Sequence, residues 1–298
     1  VMANVGKTQS TGVELTINTK NIDTRDFKWT TDLTFTAYKD RWKERTPDWK
    51  PGVYERVDDP IRPIYARLAD HILQIGEEVP SAQPLLRPGE LVIKDINGYQ
   101  RDSNKQPVVD QNGRFVLTGE PDGMIDEADN VLLGSQDPAW LAGITNTLRY
   151  KNFDLNIQFN GMFGRRMQDP TEMAYGLGGG DLARYGYNAL RKIKNRWTWD
   201  NPSTTQPTSF NGWANNYTSG DWYYQQAWFV RLTNISLGWT LPRTWLSHTK
   251  VVSRVRLSLS ANNLFCITPY KGIDPETDYY AASYPNARTY SLGINVTF

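Results

Sequence analysis

The segment RTYSLGINVTF puts Leu292, Ile294, Val296 and Phe298 on every second position, with Ser291, Gly293, Asn295 and Thr297 between them. Alternation of this kind builds a strand with one apolar and one polar face. The pattern recurs along the chain: Val13, Leu15 and Ile17; Phe27, Trp29, Leu33, Phe35 and Ala37; Phe153, Leu155, Ile157 and Phe159; Ile235, Leu237 and Trp239; Val255, Leu257 and Leu259. WLAGITNTLRY is a weaker instance. A chain made of many two-faced strands must find a medium for all its apolar faces. A protein core and the hydrocarbon of a bilayer are the two candidates.

Hydropathy does not choose between them. The mean hydropathy is −0.58, and no run approaches the eighteen or so apolar residues of a membrane helix. A membrane barrel escapes that test, because half of its strand residues face water and its outer loops are polar. Lys and Arg total 33 against 32 Asp and Glu, a balance that gives no electrostatic argument for nucleic acid. The single cysteine, Cys266, excludes an intrachain disulfide framework and reads as a small wall or core residue. VMANVGKTQS lacks the features of a signal peptide, so an exported product is expected to have further sequence ahead of it.

Strand length and the connections are more informative. The alternating stretches number about seven, and most run to about ten residues, a length suited to a tilted membrane strand and longer than is usual in soluble sheets. Short links at 21–26, 151–152 and 242–250 alternate with long ones at 41–138, 166–225 and 266–287. Tight periplasmic turns and long outer loops have this asymmetry in outer-membrane barrels. The expected fold is therefore all-β, a transmembrane antiparallel β-barrel with long extracellular loops at 41–138 and 166–225. An odd set of strands would leave bare edges in lipid, so the chain is expected to be a portion of a larger barrel.

Several segments, in order, carry a family resemblance: KTQSTGVELTINTKNIDTRDFKWTTDLTFT, ADHILQIGEEVP with RPGELVIKDINGYQ, DPAWLAGITNTLRYKNFDLNIQFNGMFG, NRWTWDNPSTTQP, AWFVRLTNISLGWTLP and SANNLFCITPYKGIDPE. Together they resemble the C-terminal part of a SusC/RagA-type TonB-dependent outer-membrane transporter, over nearly the whole chain. The resemblance implies a large plugged barrel of about 22 strands, with the plug domain not represented in these 298 residues. It also implies uptake of oligosaccharides, or of peptides, with a SusD-like surface lipoprotein and with energy from the TonB complex. Phe298 resembles the terminal aromatic read by the barrel-assembly machinery, and an aromatic ring is also stable at a membrane interface.

Two groups of side chains are candidate sites. Asp95, Asn97, Asp122, Asp126 and Asp129 could supply hard oxygen ligands for calcium. Many family members carry an uninterrupted Asp-x-Asn-x-Asp-Gly run there; here YQRDSNKQPVVDQNGRFVLTGE separates the halves. A hairpin turning near DQNG would reunite them, and a solvated acidic loop is the alternative. The aromatics Trp42, Trp49, Trp197, Trp199, Trp213, Trp222, Tyr223 and Tyr224 would stack on cargo sugars if they face the lumen or the lipoprotein, or else pack the long loops together. Gly178, Gly179 and Gly180 lack the strand and helix context of a phosphate loop. His71 and His248 sit in no catalytic motif, so no enzyme is expected. A secreted β-rich carbohydrate-binding module is the competing class. It differs in having its apolar strand faces sealed inside protein.

Overall fold

The computed structural model describes residues 6–56, 58–111, 114–176, 186, 188–208, 220–249, 251–277 and 283–298. In chain order the strands are β1 (Lys7–Asp23), β2 (Phe27–Glu44), β3 (Pro63–Ala66), β4 (Ala69–Ile72), β5 (Leu91–Ile93), β6 (Val131–Ser135), β7 (Trp140–Tyr150) and β8 (Phe153–Phe163). After β9 (Arg166–Gln168) and the short helix α1 (Pro170–Tyr175) come β10 (Tyr224–Gln226), β11 (Phe229–Thr240), β12 (Arg254–Asn262), β13 (Cys266–Ile267) and β14 (Thr289–Thr297). The long strands form one antiparallel sheet in the order β1-β2-β7-β8-β11-β12-β14, with β13 added beside β11. These are the strands that the alternation predicts, paired in chain order.

One boundary differs from the sequence reading. β2 continues through Glu44 because Gln9 and Thr8 of β1 pair with Arg41 and Trp42. The first long connection thus begins after β2, beyond the expected position 41. Thr24 caps the first tight turn, its hydroxyl accepting from the Phe27 amide at 3.1 Å. In the two-residue turn between β7 and β8, Lys151 adopts φ +50°, a left-handed conformation used to reverse a hairpin. A single helical turn at Arg243–Leu246 links β11 to β12. These turns all lie at one end of the sheet.

Register aligns the apolar residues into rows across the sheet. Phe27 pairs with Tyr150, Tyr150 with Phe153, Phe153 with Trp239, and Trp239 with Leu257. Further along, Ile17, Leu33, Ile144 and Phe159 form another row. One polar patch interrupts this face, and it is satisfied internally: Asn146 Oδ1 accepts from Trp29 Nε1 at 2.9 Å and from Thr31 Oγ1 at 2.7 Å.

Aromatic rings close this face at both ends. Near the tight turns, Phe153 stacks on Trp239 at 5.7 Å, and Trp245 meets Trp239 edge-on at 5.6 Å. At the opposite end Trp140 stacks on Phe163 at 3.7 Å, flanked by Phe35 and Trp228. On β7 the two levels, Trp140 and Tyr150, are the first and last residues of an 11-residue strand. At about 3.3 Å per residue and a tilt of about 40–45°, that span projects to about 24 Å along the barrel axis. Outer-membrane barrels carry an apolar band about 25 Å tall between two aromatic girdles.

The apolar face is not covered by the described residues. Val13, Leu259, Leu292 and Ile294 are 68%, 54%, 77% and 67% exposed. That arrangement differs from the sealed sandwich expected of the competing module. Among the described residues no helix is long and apolar enough to cross a membrane, a test that does not bear on strands.

Candidate functional site: the polar wall and the loop layer above it

The opposite face of the sheet carries amides, hydroxyls and ion pairs. Asn18 donates to Asp32 at 2.8 Å, Asn156 to Thr147 at 3.0 Å, Asn234 to Asn262 at 2.8 Å, and Asn262 to Thr289 at 3.0 Å. Arg256 grips Asp154 with both guanidinium nitrogens, at 2.5 and 2.7 Å, the planar fork that suits a carboxylate. This ladder satisfies the wall sideways yet leaves hydroxyl and amide groups facing the space in front of it. A polar surface of this kind recognises hydrogen-bonding solutes.

The long connections gather at the end away from the tight turns and share a core. Ile72 and Leu91 from the first pack with Trp197 and Tyr223 from the second. Trp197 is only 4% exposed and its Nε1 donates to Gln74 Oε1 at 3.2 Å. Asp221 stitches the same two segments, accepting from the Ala69 amide and donating its own amide to the Arg67 carbonyl, both at 2.8 Å. Gly89 lies directly under the Trp197 ring at φ +92°, where a Cβ would overlap the indole. Only glycine meets both demands.

The aromatic candidates therefore divide by position. Trp197 and Tyr223 are core residues that hold the loops together. Trp42 and Trp49 sandwich the Arg45 guanidinium, with ring centroids 4.7 and 4.6 Å away, a cation–π arrangement that ties the loop to the end of β2. Trp199 stands exposed, edge-on to Trp197 at 5.4 Å. Trp222 packs partly on the core and also lines a cleft. Tyr224 lies half-buried in β10, where burial pushes its phenol above the ordinary tyrosine value. Trp213 lies outside the described residues, as do Gly178, Gly179 and Gly180.

The inserted segment does form a hairpin, with Tyr99 bridging Leu117 and Val109 bridging Phe115; Asn112 and Gly113 of the anticipated turn lie outside the described residues. It brings the acidic halves together. The Asp95 carboxylate accepts from the amides of Asp122 and Gly123, and Asn97 Oδ1 accepts from Gly119. Asp129, fully buried, accepts from Ile96 and Asn97 through Oδ1 and from Asp126 through Oδ2, while Asp126 caps Ala128. Asp122 accepts from Met124. Each of these side chains accepts from at least one backbone N–H. No group of three or more His, Cys, Asp or Glu side chains suited to a metal occurs among the described residues. In this arrangement the five residues act as turn caps.

Sequence reasoning passed over a charged cluster on the polar wall. Arg231 of β11 is buried, donates from Nη2 to Asp274 at 2.7 Å, and has Glu276 Oε2 3.1 Å from its Nε. The Glu276 contact is an ion pair that lacks hydrogen-bond alignment, since Nε has no aligned acceptor. Arg165 donates to the Pro275 carbonyl at 3.0 Å. The signal in the sequence is a lone arginine inside the apolar run AWFVRLTNISLGW, because a charge in a strand of that kind requires a partner.

Two cavities adjoin this cluster. An open cleft of about 770 Å³ lies among Glu172, Lys192, Trp222, Gln226, Lys271 and Ile273. A recess of about 340 Å³ lies on the polar wall, bounded by Thr34, Thr36, Asn160, Thr233 and Glu276.

An open antiparallel sheet with a girdled apolar face, a polar face and one-sided loops is a segment of a membrane β-barrel wall. No family model matches the chain. TonB-dependent receptor P3 of Formosa agariphila is 29% identical over 99% of the chain, and the match covers 29% of that protein. TonB-dependent receptor SusC of Bacteroides thetaiotaomicron is 26% identical over 99% of the chain and is covered over 27% of its length. The structure of the RagAB peptide transporter superposes with a TM-score of 0.70 at 22% identity, over 99% of this chain and 30% of that one. The chain spans about three-tenths of the length of the proteins it matches. Sequence and fold together relate it, from end to end, to a segment of SusC/RagA-type TonB-dependent receptors.

Proposed function

We propose that this chain forms part of the wall and the extracellular loop layer of a TonB-dependent importer in the outer membrane, in the C-terminal part of its barrel. The observation that carries the reading is the exposed apolar band, about 24 Å tall, between the Trp140–Phe163 and Phe153–Trp239 girdles. Further strands complete the barrel, since bare edges at β1 and β14 are not tolerated in lipid. The loops at the far end face outward, where a SusD-like lipoprotein caps them, and the TonB complex supplies energy through parts of the receptor beyond this segment. The segment itself performs no chemistry.

Oligosaccharides are the favoured cargo. The amide- and hydroxyl-lined wall, with Trp222 at the loop cleft, matches the alternating hydroxyl edges and apolar ring faces of sugars. Peptides are the second reading, supported by the fold it shares with the RagAB peptide transporter. The test uses the full-length receptor. It should remain in the membrane pellet until detergent is added and should co-purify with a surface lipoprotein. Release into plain buffer would overturn the importer. Deletion should abolish growth on glycans and leave growth on peptides intact; the reverse result assigns peptides.

A further inference from the structure

The polar patch on the apolar face of the sheet is a chain of hydrogen-bonded side chains. Thr19 Oγ1 donates to Asn21 Oδ1 at 2.9 Å, Asn21 Nδ2 donates to Thr31 Oγ1 at 2.7 Å, and Thr31 and Trp29 both donate to Asn146 Oδ1. The acceptor end of the Asn146 amide is thus satisfied twice, and these two bonds fix which end is left over. Among the described residues no acceptor meets Asn146 Nδ2.

Depth makes that spare donor costly. Asn146 belongs to the row Thr19, Thr31, Asn146, Ile157, Ile235 and Ala261, which is polar on β1, β2 and β7 and apolar from β8 onward. On β7, Asn146 stands four residues from Tyr150 and six from Trp140. It therefore lies about 10 Å from the nearer aromatic level. Lipid offers only hydrocarbon there, and an amide N–H without an acceptor in hydrocarbon is expensive. The receptor's own preceding strand does not reach it. That strand would pair beside β1 in the plane of the sheet, three strand spacings or about 14 Å from Asn146.

The patch itself carries the group that would complement it. Asn21 is exposed, and its Oδ1 accepts from Thr19 and keeps a second lone pair. A surface with a spare donor at one point and a spare acceptor at another is self-complementary, so two copies related by a two-fold axis exchange both bonds at once. Ile17, Leu33 and Ile144, in the next row, supply an apolar surround. Building on the importer reading, we propose that this patch on β1, β2 and β7 is where a second copy of the receptor docks within the membrane, Asn146 of each copy donating to Asn21 of the other. Polar side chains join membrane segments in this way because lipid matches apolar packing but offers no acceptor. The amides select the partner and its register, and the aliphatic surround packs around them.

Oxidative cross-linking of the full-length receptor in native outer membranes tests this, in a background with Cys266→Ser. Three reporters are introduced separately: Ile17→Cys and Thr19→Cys at the patch, and Leu259→Cys on the apolar half of the sheet. Copper phenanthroline should join Ile17→Cys or Thr19→Cys receptors into a species of twice the receptor mass and leave Leu259→Cys monomeric. Sedimentation of the detergent-extracted parent should show the same dimer. Asn146→Leu should weaken it about tenfold or more, and Asn146→Gln, which keeps the amide, should retain part of it. Heat-modifiable migration reports that each variant is folded. Should Asn146→Leu not fold, Asn21→Leu removes the acceptor at the exposed edge of the patch and should weaken the dimer likewise. A monomeric parent, a cross-linked product of any other mass, equal cross-linking at Leu259→Cys, or a dimer unaffected by these substitutions overturns the docking site. Recovery of the receptor in the soluble fraction instead overturns the importer reading.

Discussion

The strand sheet and the loop layer use apolar residues in opposite ways. In the sheet, Leu259 and Leu292 face outward and stand open, and the polar side chains turn inward to bond one another across strands. In the loops, Ile72, Leu91 and Trp197 are buried in a small core, as in any water-soluble domain. The same chain is inside-out below one aromatic level and conventional above it. The difference teaches where the solvent changes. Hydrocarbon removes the penalty for exposing leucine, whereas water restores it. The long connections therefore need a core of their own.

Substitutions that act on one region and spare the other sharpen this contrast. Leu91→Ala should destabilise the loop layer by about 2–5 kcal/mol, since it empties a buried site. Ile157→Ala should cost a small fraction of that, because lipid chains fill the space. Hydrogen exchange on the full-length receptor in vesicles reads both; equal losses would mean that the sheet face is packed against protein. Next in size, Ile157→Arg should cost about 2–4 kcal/mol, because its row lies midway between the girdles. Gln158→Arg, on the polar wall, should carry no such penalty. Leu257→Arg should cost about 0–1 kcal/mol, since Leu257 pairs with Trp239 at the girdle level. Vesicle refolding titrations measure all three, and a uniform cost would remove the membrane from the account.

The smallest effect is confined to the loops. Hydrogen bonding to His71, and then the nearby Lys94, holds the Asp70 carboxyl below its ordinary value. A group with a depressed folded value adds stability above its unfolded value and loses it as pH falls through the folded one. The contribution should thus be present at neutral pH and begin to fade as pH falls below about 4. Asp70→Asn should lower loop protection slightly at pH 7, and the difference should shrink steadily as the pH is taken below about 4. The sheet should show no difference at any pH.

Much of this architecture can be read from local pattern. Leu155, Ile157 and Phe159 announce their strand without reference to any other residue, because side chains alternate by backbone geometry alone. The tight turn at Lys151 and Asn152 follows from two such strands with nothing between them. The candidate site was less legible. Trp197, Trp199 and Trp222 are alike as loop tryptophans in sequence, yet one is core, one exposed and one cleft wall. Their fates depend on Ile72 and Leu91, more than a hundred positions away.

By itself, then, the sequence determined the strands, their two faces and the alternation of short and long links, since each of these rests on neighbours within a few residues. The tertiary structure decided the height of the girdles, the shared core of the loops and the union of Arg231 with Asp274. Those depend on register and on contacts between distant segments, and no local period encodes them.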